Sequence, residues 1–144
     1  MSAIKTSTQA TELVSRLYRN WADSLSQHDL TWLTEHLADD FLFTSFLIPG
    51  PAIRKTQFLE IAAQLADVRL DFRGVWAEIA GPIIMSHADL DVEERFLADL
   101  GPAMPRPEEL TQMVSGRRLI YASAWRPQRG RWQCFSHHQV TYAD

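Results

Sequence analysis

The stretch from Arg117 to Tyr142 constrains the fold of this chain more than any other. Two runs rich in β-branched and aromatic residues, Leu119–Trp125 and Trp132–Tyr142, flank the polar segment Arg126–Arg131, which is the pattern of two strands joined by a turn. A proline and a glycine in the polar segment interrupt a continuing strand. The sequence therefore predicts a β-hairpin near the end of the chain, and this hairpin carries the polar side chains most able to do chemistry.

The two histidines of the second strand are expected to point to opposite faces of the sheet, because successive side chains of a strand alternate between its faces. The alternation groups Phe135, His137 and Gln139 on one face and Cys134, Ser136, His138 and Val140 on the other. His137 is the preferred pocket residue and acid or base, since an imidazole with a pKa of about 6.5 exchanges protons near neutral pH. A core or surface histidine without a chemical role is the alternative for each ring.

Tyr121 lies on the neighbouring strand and is a candidate hydrogen-bond donor. A phenol in a cavity can donate to a developing oxyanion or to the carbonyl oxygen of a ligand. A core tyrosine with a bonded hydroxyl is the alternative interpretation.

Size, charge and cysteine content exclude several classes of protein. A chain of 144 residues supports one hydrophobic core, so we expect a single domain over residues 1–144. The net charge of −4 argues against a nucleic-acid binder, and the hairpin arginines are either a solvated turn or an anion site. Cys134 is the only cysteine; it cannot form an intrachain disulfide, and we expect it to be inert. Because the chain shows neither a signal peptide nor an apolar run of ~18 residues, we expect a cytoplasmic protein without a membrane partner.

Three helices are predicted in the first half of the chain. Apolar residues recur at the spacing of one helical face in the first and longest of them, and Asp29 stands where an N-cap of the second would lie. The predicted helices span Thr8–Ser26, Leu30–Leu37 and Ile53–Leu65.

Strands are predicted between and after these helices. Phe41–Ile48 is nearly all apolar and is expected to end at Pro49–Pro51. A second strand alternates from Val68 to Ile79, and its apolar positions change parity at Gly74, which predicts a β-bulge. A third strand, Ile83–Glu93, places Ile84, Ser86, Ala88, Leu90 and Val92 on one face. The clusters FLADL and EELTQM indicate helical turns inside the long connection Phe96–Met113, which is expected to be a lid or a partner contact.

The order helix, helix, strand, helix and then four strands resembles the nuclear transport factor two-like superfamily and, in local texture, its SnoaL-like branch. The segments LYRNWADSLSQHDLTWLTEHLADDFLF and GRWQCFSHH are similar to the opening and closing parts of that family. The resemblance implies an α+β fold in which three N-terminal helices cover a cone-shaped, curved, mostly antiparallel sheet (cystatin-like or SnoaL-like). It also implies an apolar cavity and a homodimer.

Dehydratase-type members of the family carry a carboxylate late in the first helix and a histidine early in the strand after the third helix. The corresponding positions fall near Ser26 and near Leu70 or Asp71, so neither residue type is preserved and Asp71 is the nearest substitute base. The same correspondence implies that Trp21, Phe43, Tyr121 and His137 line the pocket.

We therefore expect a small-molecule pocket protein that performs acid/base chemistry (isomerisation, dehydration, cyclisation or hydrolysis) on an apolar substrate. The predicted catalytic residues are His137, Tyr121 and Asp71. The predicted ligand-binding residues are Tyr18, Trp21, Phe43, Phe58, Trp76, Ser86, Ala88, Leu90, Trp125, Phe135 and His138. The alternative is a ligand-binding or dimerisation module of the same fold without catalysis.

No metal or cofactor is expected. His87, Asp89 and Asp91 share one strand face, but successive side chains lie roughly 6.5–7 Å apart, which is too far to chelate one ion. Zinc, phosphate-loop and nucleophile-elbow motifs are absent from the sequence.

Overall fold

A six-stranded mixed sheet forms the body of the fold in the computed structural model, which describes residues 3–144. The elements are α1 (Ser7–Ser26), α2 (Thr31–His36), β1 (Leu37–Ser45), β2 (Ile48–Arg54), α3 (Lys55–Ala63), β3 (Leu65–Ala80), β4 (Ile83–Phe96), α4 (Pro107–Val114), β5 (Arg117–Gln128) and β6 (Arg131–Tyr142). The strand order is β2-β1-β6-β5-β4-β3. All neighbours are antiparallel except β1 and β6. Since β2 and β3 lie at opposite edges, the sheet is open and does not close into a barrel.

Helix α1 covers the inner face of the sheet, which is the face that carries the buried side chains of β4. The helix begins with a capping box, in which the Thr6 hydroxyl accepts from the Gln9 N–H and the Gln9 side chain accepts from the Thr6 N–H. Its apolar stripe is buried and includes Val14, Tyr18 and Trp21, which satisfies the predicted helical periodicity. Within residues 3–144, no helix has the length and apolar character needed to cross a bilayer.

The first strands differ from the sequence prediction. Helix α2 ends at His36 and β1 already begins at Leu37, whereas the sequence predicts that the helix continues toward Asp39 and Asp40 and that the strand begins at Phe41. The expected terminator Pro49–Pro51 lies inside β2 instead, which is possible because an edge strand leaves one row of backbone groups unpaired and tolerates proline. The N-cap of α2 is Leu30 and not Asp29, which stands one residue earlier; the Asp29 carboxylate still accepts a hydrogen bond of 3.0 Å from the Thr31 N–H.

Two of the register shifts in the sheet set the direction of side chains near the cavity. The pairing of β3 with β4 shifts between Phe72 and Gly74, which confirms the bulge predicted there. A second shift lies in β6, where Trp125 pairs with Cys134 but Ala124 pairs with Ser136. The extra residue reverses the alternation. Cys134 therefore turns into the core and is fully buried.

Helix α4 lies inside the long connection Phe96–Met113, at the segment EELTQM where the sequence indicates a helical turn. Pro107 occupies its first turn together with two glutamates, an arrangement that suits the free N–H groups and the positive end of a helix. The helix packs over the end of β4, where the Phe96 N–H donates to the Thr111 hydroxyl and the Glu94 N–H donates to the Ser115 hydroxyl. The fold thus has a fourth helix, which covers the cavity described next.

Candidate functional site

An apolar cavity of about 100 Å³ lies between the helices and the inner face of the sheet. Helices α1, α3 and α4 and strands β1, β3, β4, β5 and β6 all contribute to its wall. The lining residues are Tyr18, Trp21, Leu25, Phe43, Leu47, Ile48, Phe58, Ile61, Ala62, Leu65, Leu70, Phe72, Ala88, Leu90, Glu94, Phe96, Met104, Leu110, Val114, Tyr121, His137 and Gln139. Few polar groups interrupt this hydrocarbon surface, as is usual for a small-molecule site.

Aromatic rings surround His137 on several sides. Its imidazole lies 4.5 Å from the Trp21 ring and 5.1 Å from the Tyr121 ring, measured between centroids. Phe43 is 5.9 Å away and Phe58 is 6.4 Å away. Burial lowers the pKa of His137 to about 3, with a smaller contribution from the adjacent His138, because a low-dielectric environment disfavours the charged ring. The imidazole is therefore neutral at pH 7, and the expected pKa of about 6.5 is wrong for this site.

Glu94 is the carboxylic acid of the cavity. Its side chain is 8% exposed and lies on the same face of β4 as Ala88 and Leu90, with which it lines the cavity. Burial alone raises the pKa of Glu94 from 4.5 to about 7, because no cation or hydrogen-bond donor among the described residues stabilises the carboxylate. A carboxyl group of this kind exchanges its proton close to neutral pH, which is the property required of a general acid or base.

Tyr121 presents its hydroxyl group to the same cavity. The Gln139 side-chain amide donates to the Tyr121 oxygen over 2.7 Å. The Gln139 carbonyl accepts from the Ser45 hydroxyl, which in turn accepts from the Leu47 N–H. These hydrogen bonds fix the orientation of the Gln139 amide. Because the Tyr121 oxygen accepts from this amide, its own phenol proton remains available to a ligand. Burial, with a further contribution from the nearby Glu94 charge, raises the pKa of Tyr121 well above its ordinary value, so the phenol stays protonated.

The structure brings most of the predicted ligand-binding residues together. Eight residues named from the sequence line the cavity: Tyr18, Trp21, Phe43, Phe58, Ala88, Leu90, Tyr121 and His137. Ser86 and Trp125 lie behind this wall. Trp125 is fully buried, and its indole N–H donates to the Ser86 hydroxyl over 3.0 Å. These two residues support the cavity without lining it.

Two other predicted residues, Asp71 and Trp76, face away from the cavity. Asp71 is exposed on β3 and pairs with Arg69 at 3.1 Å, so it is a solvated carboxylate and not the base of this site. Trp76 is 50% exposed on the outer face and stacks on His87 at 5.0 Å. Asp71 precedes the bulge at Phe72–Gly74 and Trp76 follows it, and at both positions the side chain of β3 points away from the cavity.

Phe135 and His138 also lie outside the cavity. The bulge in β6 turns Phe135 away from the face of His137, and its ring lies 4.9 Å beneath the Arg126 guanidinium. His138 keeps the predicted opposite direction and hydrogen-bonds to the hydroxyls of Thr44 and Ser136. The predicted ligand contacts of both rings are therefore wrong, Phe135 because of the bulge and His138 because it points to the face opposite His137.

The hairpin arginines form ion pairs. Arg126 bonds to Asp40, Arg129 to Asp39 and Arg131 to Glu35, at 2.5, 3.0 and 3.0 Å. Because each guanidinium has a carboxylate partner, this end of the sheet is a mixed-charge surface, and the structure favours the solvated turn over the anion site.

Glu94 is the functional candidate that the sequence prediction missed. The prediction ended the third strand at Glu93, whereas β4 continues to Phe96. Extending the alternation Ile84, Ser86, Ala88, Leu90 and Val92 by one more step places Glu94 on the buried face. The signal was therefore present, but a carboxylate beside a second glutamate and an arginine has the appearance of a strand end. Across residues 3–144, no cluster of His, Cys, Asp and Glu is arranged to hold a metal ion.

Comparison with known proteins identifies the fold. No family model matches the chain, and no curated protein matches it. An NTF2-like protein from Cytophaga hutchinsonii superposes with a TM-score of 0.71 at 12% identity, covering 90% of this chain and 96% of that one. A provisionally assigned dehydratase of the NTF2-like family from Streptomyces avermitilis gives 0.66 at 12%, covering 94% and 99%. A provisionally assigned ketosteroid isomerase from Shewanella frigidimarina gives 0.62 at 11%, covering 87% and 92%.

This chain has the NTF2-like fold. The α+β architecture expected from the sequence resemblance is confirmed, with a mixed and open sheet. At 11 to 12% identity the likeness extends to the fold only, since one fold supports many activities.

Proposed function

We propose that this protein transfers protons to and from a small, neutral, apolar molecule bound in the cavity, with Glu94 as the acid/base group. The observation that carries the proposal is a carboxyl group that lies inside a hydrocarbon cavity with its pKa raised to about 7 by burial. Leaving such a group without an internal partner costs stability. A perturbed carboxyl in a concave apolar site is the feature expected of a catalytic acid or base.

The charge of the cavity limits the ligand. Neither lysine nor arginine is among the lining residues, so an anionic ligand would meet the Glu94 carboxylate with no cation to offset the repulsion. A ligand that is neutral and largely hydrocarbon matches the aromatic wall instead.

The size of the cavity is a second limit. A cavity of about 150 Å³ lined by aliphatic and aromatic side chains accommodates benzene, and the cavity here measures about 100 Å³. Even one six-membered ring must therefore displace part of the wall. Met104 is the lining residue that belongs to the irregular connection between β4 and α4, so this side of the cavity is the one that adapts.

The three polar groups have complementary roles in proton transfer. The ionised Glu94 takes a proton from an acidic C–H or O–H of the ligand, and the negative charge that develops on a ligand oxygen is stabilised by the Tyr121 O–H. The protonated Glu94 then returns the proton to another atom of the ligand. His137 contributes as a neutral ring, because its low pKa prevents it from acting as the base. Isomerisation, dehydration, cyclisation and hydrolysis each use a transfer of this kind, and the dehydratase and isomerase names among the structural neighbours agree with it.

Replacement of Glu94 tests this function. The probe reaction is exchange of the α-protons of cyclohexanone and related small cyclic ketones for deuterium, followed by proton NMR. Glu94→Gln should slow the protein-catalysed exchange by about 100-fold or more, the usual contribution of a general acid or base. The matched control is Glu93→Gln, since Glu93 is the exposed neighbour on the opposite face of β4, and it should exchange at the wild-type rate. Equal rates for wild type and Glu94→Gln would remove Glu94 from the mechanism.

A non-catalytic binding module is the second candidate. It is favoured by the two positions where dehydratase-type relatives are expected to carry a carboxylate and a histidine. Here Ser26 is exposed and its hydroxyl bonds to the Asp23 carbonyl, while Leu70 is apolar and Asp71 is solvated. In this reading Glu94 and Tyr121 bind the polar end of a ligand that is recovered unchanged. Tight binding of the ketones without any catalysed exchange would favour this second function.

A further inference from the structure

We propose that Tyr18 and Ser123 are positioning residues that hold His137 with its proton on Nε2, so that the ring donates a hydrogen bond to an acceptor atom of the cavity ligand. The part of this inference that concerns the ligand rests on the proposed function. The part that concerns the ring does not, because it follows from a buried chain of hydrogen bonds behind the cavity wall.

The chain begins at a group that can only donate. The Trp125 indole N–H donates to the Ser86 oxygen over 3.0 Å. The Ser86 and Tyr18 hydroxyls are 2.9 Å apart, and the Tyr18 hydroxyl donates to the Ser123 oxygen over 2.7 Å. Because Tyr18 has one hydroxyl proton and uses it on Ser123, Ser86 is the donor of its 2.9 Å bond to Tyr18. The other acceptor near the Ser86 hydroxyl, the Ser123 backbone carbonyl, is farther away at 3.5 Å. Every bond in the chain therefore points toward Ser123.

The last bond of the chain determines which nitrogen of His137 is protonated. The Ser123 oxygen lies 2.8 Å from Nδ1 of His137, and Ser123 already accepts from Tyr18. Its own proton is then free to bond to Nδ1, which must be unprotonated to accept it. If Nδ1 were protonated instead, the Ser123 oxygen would accept hydrogen bonds from both Tyr18 and His137. The buried Ser123 proton would then have no acceptor among these hydrogen-bonded groups, which costs stability. The neutral ring therefore carries its proton on Nε2.

Packing prevents the His137 ring from rotating by about 180° and exchanging its two nitrogens. His137 is 4% exposed and lies against Trp21 at 4.5 Å and Tyr121 at 5.1 Å. Rotation that exchanged the two nitrogens would require these rings to move within a close-packed core. Nδ1 thus stays on Ser123, and Nε2 is the nitrogen that remains available to the cavity.

The hydrogen-bond donors of the cavity limit the kind of ligand. Tyr121 and His137 both present donors to the cavity, and neither can accept a proton near pH 7. The ligand should therefore carry an oxygen or another acceptor within reach of these two groups, which favours a ketone over a hydrocarbon of the same shape and disfavours an amine cation near His137.

The tautomer is measured directly by nitrogen–proton correlation NMR of the intact, ligand-free protein labelled with ¹⁵N-histidine. The chain has five histidines, and His137→Asn identifies the signals of this ring. In wild type we expect the pattern of an Nε2–H ring with unprotonated Nδ1 across the neutral pH range. Ser123→Ala should introduce an Nδ1–H population, and Ser123→Thr, which retains the hydroxyl, should restore the wild-type pattern. Tyr18→Phe keeps the Ser123 hydroxyl and should produce a smaller change than Ser123→Ala.

Ligand selectivity provides the second measurement. Wild type should bind cyclohexanone in preference to methylcyclohexane, and Ser123→Ala should reduce that preference by about threefold to tenfold, the value of one hydrogen bond. Glu94→Gln should leave the tautomer unchanged, so loss of proton transfer and loss of ring positioning are separable. A wild-type ring protonated on Nδ1, or an unchanged tautomer in a correctly folded Ser123→Ala protein, would overturn the inference.

Discussion

The pH dependence of stability should change sharply when Glu94 is replaced by glutamine. In the folded protein the pKa of Glu94 is about 7, against 4.5 for the free side chain. Between these values the folded state binds more protons than the unfolded state, so the free energy of unfolding falls as pH rises. Each pH unit corresponds to about 1.4 kcal/mol when the difference in bound protons is complete, which gives a loss of about 2.5 kcal/mol between about pH 5 and pH 8.

His137 acts in the opposite direction. Its pKa falls from 6.5 to about 3 on folding, so below about pH 6.5 the unfolded state binds the extra proton and the folded state loses stability. The stability that this neutral ring contributes is complete above pH 6.5, and about 2 kcal/mol of it is lost at about pH 5. In wild type the two effects nearly cancel, and the stability should be almost flat over this range.

Glu94→Gln removes one of the two opposing effects. The glutamine does not titrate, so the variant should gain about 2 kcal/mol of stability from about pH 5 to pH 8 while wild type stays flat. Urea unfolding at several pH values, followed by circular dichroism, measures this directly. Glu93→Gln should reproduce the wild-type curve, because Glu93 is exposed. Parallel curves for wild type and Glu94→Gln would refute the placement of an unpartnered carboxyl in the cavity.

Two further results are expected from residues outside the proton-transfer groups. Trp125→Ala should cost about 3–5 kcal/mol in urea unfolding, since the indole is fully buried, whereas Trp76→Ala, at a half-exposed position, should cost far less. Equal costs would contradict the burial of Trp125 on the inner face of the sheet. Burial raises the pKa of the Cys134 thiol to about 12, so iodoacetamide should modify it only after unfolding. Rapid alkylation of the native protein, detected by mass spectrometry, would contradict a core position for Cys134.

Elements with strong periodicity could be predicted from the sequence. The apolar stripe of α1 predicted its bounds to within one residue at the start and correctly at Ser26. The alternation in β4 identified the buried face that carries Ala88 and Leu90. In both elements the spacing of apolar residues in the sequence matches the spacing of buried residues in the structure. This match can be predicted without knowledge of contacts with distant parts of the chain.

Features that depend on distant pairing could not be read in this way. The bulge between Cys134 and Ser136 lies in a strand that pairs with both β5 and β1, and alternation along β6 alone contains no sign of it. Phe135 was consequently assigned to the wrong face. The family pattern points to Asp71 by position and contains no information on burial, and the exposure of Asp71 follows from the parity of β3.

The outermost strand of the sheet has a consequence for self-association. An open sheet presents unpaired backbone groups at its margins, where another chain can add strands and begin fibrous aggregation. In β2 the prolines at positions 49 and 51 lack N–H groups, so this margin offers an incomplete template to an incoming strand. The sequence Pro-Gly-Pro therefore protects the molecule against indefinite growth at this side.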